Sequence, residues 1–259
     1  TGTREDSKTH EMVLRGLFGK VVRATTTKEQ MDKGRLAELS IDFARLRYSD
    51  LDCKIVKPLK YAEEIQWLIC NKQRNQFIVD EAMNTDKNVL VLFNFIEKHG
   101  DVLIKMAHEH ARAAGKQIHY IHGEIDVQER ERVRALVEQH DNIVIFASYG
   151  TFSMGINMKN LHKVIFAHPF KGRIRNLQTI GRGLRIAEDK TSVTLVDICD
   201  DLTYNTKGGK HGPVTKHNTT YDHSIERLKI YESEQFKYEI RCIDLQGCAA
   251  SSVKLSSSV

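Results

Sequence analysis

Residues 89–93 are Val89-Leu90-Val91-Leu92-Phe93, five apolar residues in a row. Such a continuous run is typical of a β-strand that is buried on both faces, as strands are in a parallel sheet covered by helices. The pattern recurs at residues 143–146 and 164–166. Two further strands are predicted at residues 116–121 and 192–198. Together these segments predict one sheet that is buried on both faces.

Helical patterns separate the predicted strands. One covers residues 100–114 and closes at Gly115, and another lies around residues 177–184. A charged amphipathic helix is predicted at residues 126–138, with four apolar side chains facing inward: Val127, Val133, Leu136 and Val137. Strands that alternate with helices predict an α/β fold, an open parallel sheet with helices on both faces. Ligand sites in such sheets lie at the carboxyl ends of the strands.

The two flanks carry weaker patterns. Before this region, a threonine run at residues 25–27 predicts the start of a helix, and Gly34 predicts its end. A strand is predicted at residues 36–48, and a helix in two pieces is predicted at residues 61–83. After Asp201, a flexible basic loop is predicted at residues 207–213 and a helix at residues 221–236. A short strand is predicted at residues 238–245, and a disordered tail at residues 248–259.

The composition is that of a soluble globular protein. The 259 residues are 41% hydrophobic and 28% charged, with a formal net charge of +5. This mild basic excess permits a polyanionic partner without requiring one. No apolar run approaches the roughly 20 residues that a membrane span needs, so no membrane partner is expected. The chain begins at Thr1 without an initiator Met, which leads us to expect a fragment of a longer protein.

Cysteine usage favours a reducing compartment. The chain has five cysteines, an odd number, and no C-x-x-C pair: Cys53, Cys70, Cys199, Cys242 and Cys248. This argues against a disulfide framework and against a cysteine zinc site. A cytoplasmic location is therefore expected, and no metal site is predicted within the chain.

The most informative segment is Gln178-Thr179-Ile180-Gly181-Arg182-Gly183-Leu184-Arg185. In the helix predicted here, two arginines three residues apart would lie on one face. The planar, permanently charged guanidinium group suits the charge that develops on a phosphoryl group during transfer. The alternative interpretation is a surface helix with scattered arginines.

A second segment follows directly on the predicted strand at residues 143–146. It is Ala147-Ser148-Tyr149-Gly150-Thr151-Phe152-Ser153-Met154-Gly155-Ile156-Asn157. Small hydroxyl residues and glycines at the carboxyl end of a strand allow backbone amides and hydroxyls to reach phosphates. The alternative interpretation is a tight connection between a strand and a helix.

In this order and spacing, the segments resemble the motifs of superfamily 2 nucleic-acid helicases. The segment 178–185 is similar to the Q-x-x-G-R-x-x-R box of motif VI, and the segment 148–157 is similar to motif V. Residues 89–94 resemble the strand of motif IV, and residues 1–3 resemble motif III. Residues 120–123 resemble the nucleic-acid loop that follows motif IV. The resemblance covers residues 1–245 and is most specific toward the UvsW type of recombination helicase found in T-even-like bacteriophages. It implies a second RecA-like lobe with a small helical C-terminal extension.

This resemblance implies roles for individual residues. Arg182 and Arg185 would be arginine fingers, and Gln178 would lie near the attacking water or the γ-phosphate. Further contacts with ATP are implied for Gly155, Gly181 and Asn157. Asn157 stands where many relatives have Asp. Contacts with the nucleic-acid backbone are implied for Asn94, His122, Gly123, Ser148 and Thr151.

The sequence contains no G-x-x-x-x-G-K-[ST] phosphate-binding loop. A DExx-like stretch at residues 77–83 follows the motif III match instead of preceding it, and we interpret it as helix surface. The cofactors implied are ATP and Mg²⁺, with Mg²⁺ held by an absent first lobe. We therefore expect the chain alone to be inactive as an ATPase.

The resemblance implies four regions and one class of partner. Residues 1–60 would be a motif III remnant and inter-lobe connector, 61–203 the second lobe, 204–247 the extension, and 248–259 the tail. The implied partners are DNA, as forks, Holliday junctions or R-loops, and the missing N-terminal lobe, in the host cytoplasm for a phage protein. Two rivals stay open: a non-catalytic module that binds nucleic acid or a partner, and a nucleosidase or kinase on a similar sheet. The second rival is disfavoured by the missing phosphate-binding loop.

Overall fold

A computed structural model describes residues 12, 16–17, 19, 27–153, 158, 160–169, 192–205, 214–245 and 253–256, with the backbone alone at 152–153 and 253–256. Its strands are β1 (Glu38–Arg47), β2 (Val89–Phe93), β3 (Gln117–Ile121), β4 (Ile143–Ser148), β5 (Lys163–Phe166), β6 (Ser192–Asp201), β7 (Tyr204–Asn205), β8 (Thr215–Lys216), β9 (Lys237–Asp244) and β10 (Val253–Ser256).

The α-helices in the same residues are α1 (Thr27–Asp32), α2 (Asp50–Val56), α3 (Tyr61–Cys70), α4 (Lys72–Met83), α5 (Asp101–Glu109), α6 (Val127–Gln139), α7 (Tyr149–Ser153) and α8 (Thr219–Ser233). A π-helical turn, Ile96–Gly100, leads directly into α5, and a 3-10 turn, Ala113–Gly115, follows it.

One large sheet forms the centre of the molecule. Its strand order is β10-β9-β1-β6-β5-β2-β4-β3, and all neighbours pair in parallel except β10 with β9. The remaining two strands, β7 and β8, form a small antiparallel ribbon. This confirms the predicted α/β fold, a RecA-like open parallel sheet with helices on both faces.

The sheet is buried on both faces, as the apolar runs predict. Leu90 and Leu92 of β2 belong to one hydrophobic cluster, which α6 and α8 cover. Val91 and Phe93 of the same strand belong to a second cluster under α3, α4 and α5. Successive side chains of a strand point to opposite faces, so only a continuous apolar run can serve both clusters.

Two buried ion pairs attach helices to opposite faces of β6. Asp197 accepts hydrogen bonds from Arg227 of α8, with the shortest N–O distance 2.8 Å. Asp200, three residues later and therefore on the other face, pairs with Arg74 of α4 at 2.8 Å. All four side chains are buried, so each charge depends on its partner for solvation.

The flanking segments join the same sheet. β1 lies between β6 and β9 in the sheet. Along the chain, most of the other strands and helices come between β1 and these two neighbours. Gly34, which the sequence predicts to end the first helix, has φ of 64° after α1. Ser49 caps α2: its hydroxyl accepts from the Asp52 amide at 3.0 Å, and the Asp52 carboxylate accepts from the Ser49 amide at 3.2 Å.

Three expectations need correction. Val127 is 60% exposed, because at about 100° per residue it lies roughly 120° around α6 from the buried Val133. The helix predicted to reach residue 114 ends at Glu109, since the next residue, His110, has an extended backbone. Part of the tail predicted to be disordered, Val253–Ser256, forms β10, which pairs with β9.

In the described part of the chain, no helix is long and apolar enough to cross a membrane.

Candidate nucleic-acid interface

The candidate contact residues follow three strands that lie side by side. Asn94 comes directly after β2, His122 directly after β3, and Ser148 is the last residue of β4. Because β4 lies between β2 and β3, and all three run parallel, these residues share one edge of the sheet. The register pairs Phe93 with Ser148 across β2 and β4. The structure therefore brings three of the predicted contact segments together.

Ser148 and Thr151 form the turn from β4 into α7. Their hydroxyl oxygens lie 2.9 Å apart, and the Ser148 hydroxyl accepts from the Thr151 amide at 3.3 Å. Both side chains are buried. Their observed role among the described residues is to fix the start of α7, as small hydroxyl residues do at helix starts.

Asn94 lies on the surface, shortly before the π-helical turn. The next residue, Phe95, has a backbone oxygen that accepts from the Gly100 amide at 2.9 Å and so closes the π-helical turn. Gly100 has no room for a side chain, because a Cβ atom would come within 2.7 Å of the Phe93 ring. The π-helical turn therefore packs closely against β2, and this contact positions the residues that connect them, among them Asn94.

Tyr120 of β3 links this turn to the next loop. Its hydroxyl donates to the Asp101 carboxylate at 2.8 Å, and its ring lies 5.6 Å from the Phe93 ring. The same ring lies 4.9 Å from the ring of His122. Burial, followed by the hydrogen bond to Asp101, raises the pKa of Tyr120, so the hydroxyl keeps its proton at neutral pH. Gly123 is exposed, and a Cβ there would meet nothing within 4 Å.

A buried histidine, His99, lies in the π-helical turn next to this edge of the sheet. The Nε2 atom of His99, in the π-helical turn, lies 3.2 Å from the Asn75 side-chain oxygen of α4. Burial, together with the nearby charges of Arg74 and His168, holds the pKa of His99 well below its ordinary value. The ring is therefore neutral at physiological pH, and it packs as an uncharged part of the core.

All six residues predicted to contact the nucleotide lie outside the described residues. This applies to the arginine-finger candidates and their neighbours: Gly155, Asn157, Gln178, Gly181, Arg182 and Arg185. The motif III match at residues 1–3 and the basic loop at 207–213 lie outside them too. The described residues contain no group of three or more His, Cys, Asp or Glu side chains placed to hold a metal ion.

The DExx-like stretch at residues 77–83 is helical, as interpreted from the sequence. It lies within α4, where Ile78 and Val79 are buried. Asp80 accepts from Gln76 at 2.7 Å, and Glu81 pairs with Arg241 of β9 at 2.7 Å. These carboxylates therefore have structural partners.

Sequence reasoning missed three side chains at this edge: Phe95, His99 and Tyr120. Phe95 and His99 lie just before the helix predicted at residues 100–114. No residue pattern distinguishes the π-helical turn found there from an α-helical one. Tyr120 was included only as the first residue of the match at residues 120–123, with no role of its own. Its position two residues before the candidate histidine, in a strand where such neighbours share a face, was the available signal.

Comparisons with known proteins show what the chain is similar to. Residues 73–187 match the helicase conserved C-terminal domain family. The chain is 33% identical over 249 residues to the ATP-dependent DNA helicase UvsW of Enterobacteria phage T4, covering 95% of this chain and 49% of UvsW. The chain thus spans about half the length of this relative.

Solved structures show the same fold. The crystal structure of T4 UvsW matches with a TM-score of 0.69 and 33% identity over 81% of this chain and 42% of UvsW. A fragment of a putative HsdR subunit of a type I restriction enzyme from Vibrio vulnificus matches with a TM-score of 0.64 and 16% identity, over 98% of this chain and 44% of that one. The latter likeness concerns the fold alone. Residues 73–187 therefore belong to the helicase conserved C-terminal domain family, and the chain has the RecA-like fold of the C-terminal lobe of T4 UvsW.

Proposed function

We propose that this chain is the second motor lobe of an ATP-dependent DNA helicase that acts on branched or recombination intermediates. The observation that carries the proposal is the alignment of Asn94, His122 and Ser148 along one edge of the sheet, at the ends of β2, β3 and β4. All three lie within the segment that matches the helicase family. Contacts to phosphate and sugar position a protein without reading bases, so we expect weak sequence preference.

The interface has an exposed part and a supporting part. Asn94 and Gly123 are exposed, so they are the first candidates for contact with the nucleic-acid backbone. Gly123 has no steric reason within the described structure to lack a side chain, which supports close approach of a ligand to its backbone. Ser148 and Thr151 are buried against each other and complete the interface by holding the turn after β4.

The nucleotide side of the proposal rests on the motif resemblance. Arg182 and Arg185 would stabilise charge on the γ-phosphoryl group, with Gln178 near the attacking water. Three neighbours would contact ATP: Gly155, Gly181 and Asn157. A first lobe elsewhere in the parent protein would supply the phosphate-binding loop and the Mg²⁺ carboxylate. Closure and reopening of the cleft between lobes would then step the protein along a strand.

The test is Arg182→Ala in a two-lobe protein that contains this chain. We expect single-turnover ATP hydrolysis to fall by about 10³–10⁵, the contribution of arginine fingers in related enzymes, while affinity for fork DNA stays nearly unchanged. Arg134→Ala is the matched control, because Arg134 lies on the exposed surface of α6 and pairs there with Glu131. Normal hydrolysis by the Arg182 variant would remove the motor assignment and favour the rival, a non-catalytic binding module.

The DNA side has its own test. Asn94→Ala and His122→Ala are expected to weaken binding of single-stranded and fork DNA about equally across sequences, since backbone contacts carry no sequence information. Binding measured by fluorescence anisotropy at low salt provides the comparison. Unchanged affinity in both variants would place the nucleic-acid path elsewhere.

A further inference from the structure

Phe95 is a large aromatic side chain left in solvent at the edge of the sheet. It follows Asn94 at the carboxyl end of β2 and is 40% exposed. Isolated exposed hydrophobic residues are common on proteins. Phe95 differs from such residues by its place, directly beside the proposed backbone contacts.

The position of Phe95 is fixed at two points. Its backbone oxygen accepts from the Gly100 amide at 2.9 Å, which ties it to the π-helical turn. Its ring meets the ring of His168 edge to face, with centroids 5.3 Å apart and an interplanar angle of 81°. His168 is buried and lies two residues beyond β5, the neighbour of β2. The ends of two adjacent strands therefore hold an aromatic ring in place without burying it.

A fixed, exposed aromatic ring beside backbone contacts suits one kind of ligand group. Every nucleobase has a π-face, and stacking of a base on an aromatic side chain adds affinity regardless of the base's identity. A contact between two rings at 81° uses at most one face of the Phe95 ring. Bases within a duplex already stack on their neighbours, so an unpaired base is the ligand group that fits.

We propose that Phe95 is a base-stacking residue that gives this lobe a preference for unpaired DNA. The inference rests on the proposed function, because it requires a DNA strand along the edge defined by Asn94 and His122. It adds a contact to a base where the proposed function has contacts to phosphate and sugar only.

The experiment compares two single strands that carry the same phosphates. One is an oligothymidine, and the other is an equally long strand of abasic sites. We expect the full chain to bind the oligothymidine about fivefold or more tightly, the lower end of what one stacked base contributes. Phe95→Leu removes the ring and should abolish this difference, whereas Phe95→Tyr keeps the ring and should preserve it.

Tyr61 offers a matched control. It is 42% exposed and also meets a histidine ring edge to face, that of His223 at 5.2 Å, but it lies at the start of α3. Tyr61→Leu should leave the difference between the two strands unchanged. The salt dependence of binding should be the same in all variants, because none of them changes a phosphate contact.

Fluorescence gives a second readout. Trp67 is the only tryptophan in the chain, so Phe95→Trp in a Trp67→Phe background places one reporter at the proposed stacking position. Its emission should be quenched by oligothymidine and much less by the abasic strand. Equal quenching by both strands, or equal loss of affinity for both in Phe95→Leu, would overturn the stacking role while leaving the proposed function intact. Failure of the chain to bind either strand at low salt would overturn both.

Discussion

Replacing Arg227 by Met tests whether a buried charge pair holds the C-terminal helix α8 against the sheet. The Arg227 side chain is 2% exposed and that of Asp197 is fully buried. The guanidinium donates from Nε at 2.9 Å and from Nη2 at 2.8 Å, while Tyr231 donates its hydroxyl at 2.7 Å to the same carboxylate. Burial alone would lower the pKa of Arg227, but the adjacent carboxylate outweighs it and raises that pKa, so the pair stays charged.

The expected magnitude follows from what the substitution leaves behind. Without Arg227, the Asp197 carboxylate stays buried with the Tyr231 hydroxyl as its remaining donor from α8. Breaking a buried pair by removing one partner costs roughly 3–5 kcal/mol, because the other charge is left without compensation. We therefore expect Arg227→Met to lower the free energy of unfolding by about that amount at pH 7.

The assay is urea unfolding followed by far-UV circular dichroism, with the m-value checked for constancy. The double variant Arg227→Met with Asp197→Asn removes both charges and keeps an acceptor for Tyr231, so it should recover more than half of the loss. Arg134→Ala breaks an exposed pair on α6 and should leave the unfolding curve unchanged. A loss below about 1 kcal/mol in Arg227→Met, at constant m-value, would refute the reasoning.

Three further predictions concern the interface and its support. Since burial holds the pKa of His99 well below 6.5, the unfolded chain binds more protons below that pH. Stability should therefore fall as the pH drops from 6.5 toward the lower folded pKa, by at most about 1.4 kcal/mol per pH unit, and His99→Asn should flatten that slope in pH-dependent urea unfolding. Gly100→Ala forces a Cβ toward Phe93 and should cost about 1–3 kcal/mol in the same assay, whereas Gly123→Ala should leave stability unchanged and lower only DNA affinity. An equal loss of stability in both glycine variants would contradict this. In the proposed two-lobe parent, changing Lys207, Lys210 and Lys216 together to Ala should make the slope of log K against log salt concentration shallower for fork DNA. The expected change is about 0.9 for each phosphate group that these side chains neutralise. An unchanged slope in that triple variant would make the basic loop a simple connector.

The candidate site could be located from the sequence because its segments follow recognisable strands. The apolar run at residues 89–93 fixed the position of Asn94, and the run at 143–146 fixed that of Ser148. Parallel strands bring their carboxyl ends to one edge, so the residues that follow them were expected to meet. The sequence could not indicate that Ser148 and Thr151 are buried against each other, because their accessibility depends on the turn they form.

The amino-acid sequence by itself determined the fold class, since strands buried on both faces must be continuously apolar and these runs are local in the chain. It also determined the family resemblance, which depends on the order and spacing of short motifs. Only the tertiary structure decided which strands are neighbours, for instance that β1 lies between β6 and β9. It likewise decided that Asp197 pairs with Arg227 and that Phe95 rests on His168. The members of each pair are far apart in the chain, and no local periodicity encodes a contact that forms only when the sheet and its helices pack together.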